Sequence, residues 1–297
     1  MPTFAAPDGT GLACRLSGSG AGPPVVCLPG GPMRAGAYLG DLGGLSSRRR
    51  IAVLDLRGTG ASEAPADPAT YRCDRQVEDV EALRKHLGLE RLDLLGHSAG
   101  ASLAVRYAAR YPERLHRLVL VTPSPRAVGL ELTAGERRRI IARRADAPWF
   151  AAAAAAYESV AARSATSADW AALAPVYYGR WDAAAQRHHA AEAGQRNAVA
   201  ARMYNSAGAF EPEATRRALG AVTAPVLVLA GELDWIISPA VAAEFAGLFP
   251  DGRVVVQPGA AHYPWLDDAA AFGSAVGGFL AGVAPGLDAD RRQGRCR

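Results

Sequence analysis

Lysine is almost missing from this chain. Of 33 basic residues in 297 positions only Lys85 is a lysine, and against 29 acidic residues the net charge is just +4. An arginine bias of this kind, in a chain also rich in alanine and glycine, reads as composition rather than function. The arginine triplets at Arg48–Arg50 and Arg137–Arg139 and the tail Arg-Arg-Gln-Gly-Arg-Cys-Arg are short, far apart and free of interleaved aromatics. A nucleic-acid surface needs a continuous basic groove with stacking rings, so no nucleic-acid partner is expected. Cysteine is scarce as well. Cys14, Cys27, Cys73 and Cys296 are too widely spaced for a C-x-x-C metal site or a disulfide framework, and read as thiols. The longest bland apolar run, Phe150 to Tyr157, is mostly alanine and falls far short of the roughly 20 residues of a membrane span. The opening Met-Pro-Thr-Phe-Ala-Ala-Pro-Asp-Gly has neither the basic start nor the apolar stretch of a secretory leader. A cytoplasmic protein without a membrane partner, metal or cofactor is therefore expected.

What is present suits a globular core: 49% of residues are hydrophobic and 21% charged, which excludes wholesale disorder. The length fits two average domains or one enlarged α/β domain. Apolar runs of strand length recur at Pro24–Leu28, Ile51–Leu56, Leu92–Leu95, Leu115–Val121, Pro225–Ala230 and Arg253–Val256. Runs that are apolar throughout imply strands buried on both faces. Helical patterns lie between several of them, at Arg75–Leu87, Ala99–Tyr111, Pro239–Leu248 and Asp267–Leu280. The alternation predicts an α/β fold, a mostly parallel central sheet with helices on both faces. Phe4–Leu16, with its Pro-Asp-Gly-Thr-Gly turn, suits an antiparallel hairpin at the sheet edge.

From Pro123 to about Ala224 the strand pattern stops, and the sequence is Ala-rich and helical. The expected organisation is a core at 1–122 and 225–284, a helical cap at 123–224 inserted after the sixth strand, and a disordered tail at 285–297. Aromatic residues concentrate in the insertion. Large rings there either anchor helices that otherwise bury little area or line an apolar pocket under the cap. On the second reading Trp149, Tyr177, Tyr178, Trp181 and Tyr204 are candidate substrate contacts, with Gly30 and Tyr263 from the core.

Gly96-His97-Ser98-Ala99-Gly100 fits G-x-S-x-G, a motif too short to be specific by itself. Context gives it meaning: a strand leads in, a helix leads out, and glycines on both sides permit the sharp turn that lifts a serine hydroxyl off the strand end. A serine attacks a carbonyl only when an adjacent base takes its proton, and that base needs a carboxylate to fix its tautomer. The chain supplies both past later strands, as Gly231-Glu232-Leu233-Asp234 and Gly259-Ala260-Ala261-His262. Ser98, Asp234 and His262 are the predicted triad, each at the carboxyl end of a strand, where open α/β sheets place their sites. Glu232 is the rival acid, but it lies closer to the strand end than Asp234. His86, His97, His116, His188 and His189 are assigned surface or packing roles. An oxyanion needs two backbone N–H donors, here Ala99 and, in the Pro29-Gly30-Gly31-Pro32 loop, Gly31.

These motifs, with Asp55-Leu56-Arg57-Gly58-Thr59-Gly60-Ala61-Ser62 and Gly259-Ala260-Ala261-His262-Tyr263-Pro264, resemble the α/β-hydrolase superfamily over nearly the whole chain. The Gly-Gly-Pro loop and the Asp-x-Arg-Gly-x-Gly-x-Ser run resemble its prolyl aminopeptidase (proline iminopeptidase) branch. The resemblance implies a helical cap between the sixth and seventh strands, and Asp55 and Arg57 holding the loop beside the oxyanion hole. Two departures stand out: Pro29 replaces the usual histidine of that loop, and Met33 its final glycine. Prolyl aminopeptidases hold the substrate amine with cap glutamates, one beside a tryptophan, and the nearest local match is Trp181-Asp182. An ammonium buried without paired carboxylates is costly, so the sequence favours a serine hydrolase cleaving an ester or amide of a small, partly apolar substrate. Release of N-terminal proline, acyl transfer or cyclisation through the same acyl-serine, and non-catalytic ligand reception remain alternatives, as do monomer and dimer.

Overall fold

A computed structural model describes residues 3–282, so the expected tail and Cys296 lie outside the described residues. Eight strands form one sheet: β1 Thr3–Ala5, β2 Gly11–Ser17, β3 Val25–Leu28, β4 Ile51–Asp55, β5 Leu92–His97, β6 Leu115–Val121, β7 Val226–Gly231 and β8 Gly252–Gln257. Their order across the sheet is β1-β2-β4-β3-β5-β6-β7-β8. The β1–β2 hairpin runs antiparallel, with Phe4 opposite Leu12, and β2 pairs antiparallel with β4. All other pairs are parallel. This is the α/β-hydrolase architecture that the motifs imply.

The period-2 geometry of a strand sorts the core into two layers. Val26, Leu28, Leu94, Leu118 and Val228 face one side, packing against α1 Val77–His86 and α2 Ala99–Arg110. Val25, Cys27, Leu95, Val119 and Leu229 face the other, where Phe272 and Val276 of a C-terminal helix cover them. Each fully buried aliphatic side chain contributes about 1.5–3 kcal/mol, so both layers are needed. β8 departs from the expectation of burial on both faces: as the sheet edge it leaves Val254 and Val256 each 38% exposed.

Between β6 and β7 the chain is helical throughout, with α3 Ala134–Ala142, α4 Phe150–Ala161, α5 Ser167–Ala172, α6 Ala183–Ala190, α7 Glu192–Gln195, α8 Ala198–Tyr204 and α9 Pro212–Leu219. Side-chain caps start four of them: Thr133 and Thr166 in capping boxes with Glu136 and Asp169, then Asp182 and Asn197. The turn Pro125–Val128 and α9 pack on core helix α2, where Arg106 Nη1 donates to Thr215 Oγ1 at 3.1 Å. After β7 come α10 Pro239–Ala246, α11 Pro264–Asp267 and α12 Ala269–Leu280. The helix predicted from Asp267 is thus broken at Asp268, whose side chain caps α12. None of the described helices is long and apolar enough to cross a membrane.

Candidate active site

β5 ends at His97, and Ser98 turns the chain into α2 with φ 54° and ψ −118°. Such a positive φ is strained for a residue with a side chain, and the neighbours hold it in place. Ser98 N–H donates to Val121 O at 3.0 Å, and Ser98 O accepts from Ser124 N–H at 3.1 Å. Both motif glycines are required by close approach. A Cβ at Gly96 would lie 2.7 Å from Ala101 Cα, and one at Gly100 only 2.3 Å from Leu28 O.

Ser98 Oγ stands 2.9 Å from His262 Nε2, and His262 Nδ1 stands 2.9 Å from Asp234 Oδ2. Asp234 is completely buried, and its second oxygen accepts from Ile236 N–H at 2.8 Å. With Nδ1–H donated to the carboxylate, Nε2 is free to accept from the serine hydroxyl, as nucleophilic activation needs. The approach of the two loops depends on Gly231, where a Cβ would fall 2.2 Å from Ala261 O. Glu232 is occupied elsewhere: one oxygen accepts from Gly259 N–H at 2.8 Å, the other pairs with Arg143, and both contacts hold its carboxyl below the usual range.

Gly31 and Ala99 border the cavity beside Ser98, and neither N–H meets a protein acceptor among the described residues. Two unspent donors next to a serine are what an oxyanion would require. Gly30 lies behind them. A Cβ there would sit 2.7 Å from His97 O and 2.9 Å from Ser98 Cβ. Its N–H donates to Tyr38 Oη at 2.7 Å, and Tyr38 Oη lies 2.6 Å from His97 Nδ1. Since Tyr38 already accepts, its hydroxyl proton goes to Nδ1, and His97 Nε2–H donates to His262 O at 2.9 Å. Burial, then the neighbouring His262, push His97 well below its usual range, which keeps it neutral as this chain of bonds requires. Asp55 does hold the loop, accepting from Gly36 N–H at 2.8 Å. Arg57 does not: it pairs with Asp79 and Asp8 away from the loop. Met33 takes φ 58° where resembling sequences carry glycine, its side chain fully buried.

The cavity above Ser98 has a volume of about 620 Å³. Tyr177, Tyr178 and Tyr263 line it as expected; Gly30, Trp149, Trp181 and Tyr204 do not. Trp149 lies under the Arg144 guanidinium, 5.1 Å away, and Trp181 packs on Tyr178. Tyr204 is buried and donates to Ala99 O at 2.8 Å, bracing the elbow from behind. Asp182 caps α6 rather than facing the cavity. Sequence reading missed Arg34, Tyr38, Arg126, Trp170, Glu192 and Arg196, all of which border the cavity. His188 is also more than packing, since it accepts from Tyr178 Oη at 2.8 Å and donates to Tyr38 O at 3.2 Å. The cap holds the backbone of His262 directly: its N–H donates to Tyr177 O at 3.0 Å. Arg144 in turn donates to Tyr178 O, Val176 O and Leu233 O, at 2.7, 3.1 and 3.4 Å.

Residues 23–269 match the alpha/beta hydrolase fold family, and the chain belongs to that family. Within it the resemblance runs to the prolyl aminopeptidase-like branch. The chain is 41% identical over 102 residues to a proline iminopeptidase of Lactobacillus helveticus, a match covering 33% of this chain and 35% of that protein. It is 36% identical over 138 residues to a putative 2-succinyl-6-hydroxy-2,4-cyclohexadiene-1-carboxylate synthase of Bacillus subtilis, covering 46% and 48%. The matches thus span less than half the length of these relatives. Among solved structures, an alpha/beta hydrolase from Novosphingobium aromaticivorans is similar at 28% identity and a TM-score of 0.67, covering 95% of this chain and 98% of that one.

Proposed function

We propose that the protein is a serine hydrolase, needing no cofactor, that cleaves an ester or amide bond of a small, partly apolar substrate through an acyl-Ser98 intermediate. The observation that carries this reading is the continuous line Ser98 Oγ, His262, Asp234, with both contacts at 2.9 Å. Ser98 Oγ attacks the carbonyl carbon while His262 Nε2 takes its proton, and the Gly31 and Ala99 N–H groups stabilise the oxyanion. His262 then gives that proton to the leaving group as the old bond breaks. Water, deprotonated by His262, attacks the acyl-serine and restores the enzyme. Ser98→Ala should abolish turnover of p-nitrophenyl esters and labelling by a fluorophosphonate; labelling that persists in this variant refutes the assignment.

A second reading, release of N-terminal proline, is favoured by the match to proline iminopeptidases. Against it, Glu192 is the one carboxylate bordering the cavity among the described residues, and it already lies 3.4 Å from Arg196 and 3.7 Å from Arg34. Comparing proline p-nitroanilide with acetyl and butyryl p-nitrophenyl esters separates the two, since fast cleavage of the anilide alone supports the peptidase. The Bacillus subtilis relative, named as a synthase, supports a third: the same serine and histidine in a non-hydrolytic reaction.

A further inference from the structure

The wall of the cavity is electrically lopsided. Arg34, Arg126 and Arg196 border it, with Glu192 as the single acidic counterpart among the described residues. Glu192 is shared between two of these arginines, at 3.7 Å from Arg34 Nη1 and 3.4 Å from Arg196 Nη1. Arg126 is bonded through its carbonyl, which accepts from Gly129 N–H at 3.1 Å, while its guanidinium has no ion-pair or hydrogen-bond partner among the described residues. It sits two positions after Ser124, whose N–H donates to the carbonyl of Ser98, so its backbone is tied to the elbow. Arg34 is 1% exposed, with Nε on Gln195 Oε1 and Nη2 on His188 O, both at 2.8 Å. Its Nη1 is buried and lacks a hydrogen-bond acceptor. Folded proteins rarely leave a buried donor of a charged group unspent, so such a group marks a place where an acceptor is missing.

We propose that the cavity takes an anionic substrate, a small ester or amide carrying a free carboxylate, which Arg126 and Arg196 bind and the buried charge of Arg34 attracts. Arginine suits the task because its planar fork of donors matches a carboxylate's two oxygens. Arg126 and Arg196 border the cavity but are exposed to solvent, so their attraction for a carboxylate is weakened by salt. A cationic amine would meet the same wall as repulsion. The inference rests on the serine-hydrolase reading for its chemistry, but the binding of the anion can be measured without turnover.

The test compares monoethyl glutarate with ethyl pentanoate, esters of matched acyl length that differ in a terminal carboxylate. Hydrolysis is followed by pH-stat, and p-nitrophenyl acetate reports whether the enzyme turns over any ester. The expected result is kcat/KM for monoethyl glutarate at least tenfold above that for ethyl pentanoate. That ratio should fall toward one in Arg126→Gln and in Arg196→Gln, and shrink with added salt. The exposed Arg91→Gln variant, remote from the cavity, should keep the full ratio. A ratio at or below one in the unaltered protein overturns the proposal while leaving the hydrolase intact. If no ester is cleaved at all, the hydrolase reading fails, and calorimetry of Ser98→Ala with glutarate and diethyl glutarate decides the anion question alone. Glutarate binding more tightly, and weakened tenfold by Arg126→Gln, supports the inference; equal or weaker binding of glutarate refutes it.

Discussion

Removing one oxygen atom, by Tyr38→Phe, tests the support behind the elbow. In the folded protein the Tyr38 hydroxyl accepts from Gly30 N–H at 2.7 Å and donates to His97 Nδ1 at 2.6 Å. Both partners are buried, His97 with only 1% of its surface exposed. The phenyl ring keeps its edge contact with Tyr263 and its tilted contact with Trp265, so the change isolates the hydrogen bonds from the packing. Each buried polar group left without a partner costs about 1–3 kcal/mol, so with two such groups the variant should be less stable by about 2–6 kcal/mol in total. Urea unfolding followed by fluorescence measures this as a lower midpoint at an unchanged slope. The effect should also reach kcat, because Gly30 precedes Gly31 in the loop, and misplacing one oxyanion donor costs up to about 100-fold or more. KM should move little. A stability loss below about 0.5 kcal/mol, too small for even one orphaned group, combined with kcat within twofold of the parent would refute the role given to this chain of bonds.

Other consequences can be measured in the same way. Asp234→Asn keeps the shape but stops the residue fixing the His262 tautomer, and kcat for p-nitrophenyl butyrate should drop roughly 10³- to 10⁴-fold with the fold intact by circular dichroism; a drop under tenfold would move the acid's role elsewhere. Burial, then the charge of Arg34, pull His188 from 6.5 down to about 4. Below pH 6.5 the unfolded chain therefore binds a proton that the folded chain refuses, so stability is lost as pH falls from 6.5 toward 4. His97 acts in the same direction, and His188→Gln should flatten the slope of urea midpoint against pH in that window; an unchanged slope counts against it. Burial pushes Cys27 and Cys73 up to about 12 and raises Cys14 as well. Mass mapping after Ellman's reagent should find these three unmodified until the chain unfolds.

The elbow is legible in the sequence because its constraints fall on neighbouring residues. Gly96 is fixed by the backbone of Gly100 and Ala101 just past Ser98, and Gly100 by Leu28 O at the end of β3, and a short motif records both. The strands were legible for the same reason, since burial on both faces leaves a continuous apolar run. β8 shows the limit: its valines read like those of β7, and only its place at the sheet edge exposes two of them. The cavity wall is written in long-range contacts instead. Arg34 reaches Gln195 and His188 across more than 150 positions, and no spacing rule connects them. Aromatic type misled in the cap, because Trp149, Trp181 and Tyr204 share their chemistry with Tyr177 and Tyr178 and differ only in the direction they face. Asp182, the nearest match to the cap glutamates of prolyl aminopeptidases, is a helix cap by its position before α6.

The backbone of His262 is fastened at three points: its carbonyl accepts from His97 Nε2 and Thr122 Oγ1, and its N–H donates to Tyr177 O. Tyr177 belongs to the cap. Gly179 next to this segment donates to Asp267, which also accepts from Ala261, the residue before His262. The cap strip and the backbone of His262 are therefore held to each other. Swinging residues 176–179 outward would break the Tyr177 bond and the Gly179–Asp267 contact, while the bonds from His97 and Thr122 would still hold the carbonyl of His262. The position of that strip is thus registered at His262 without deciding it alone.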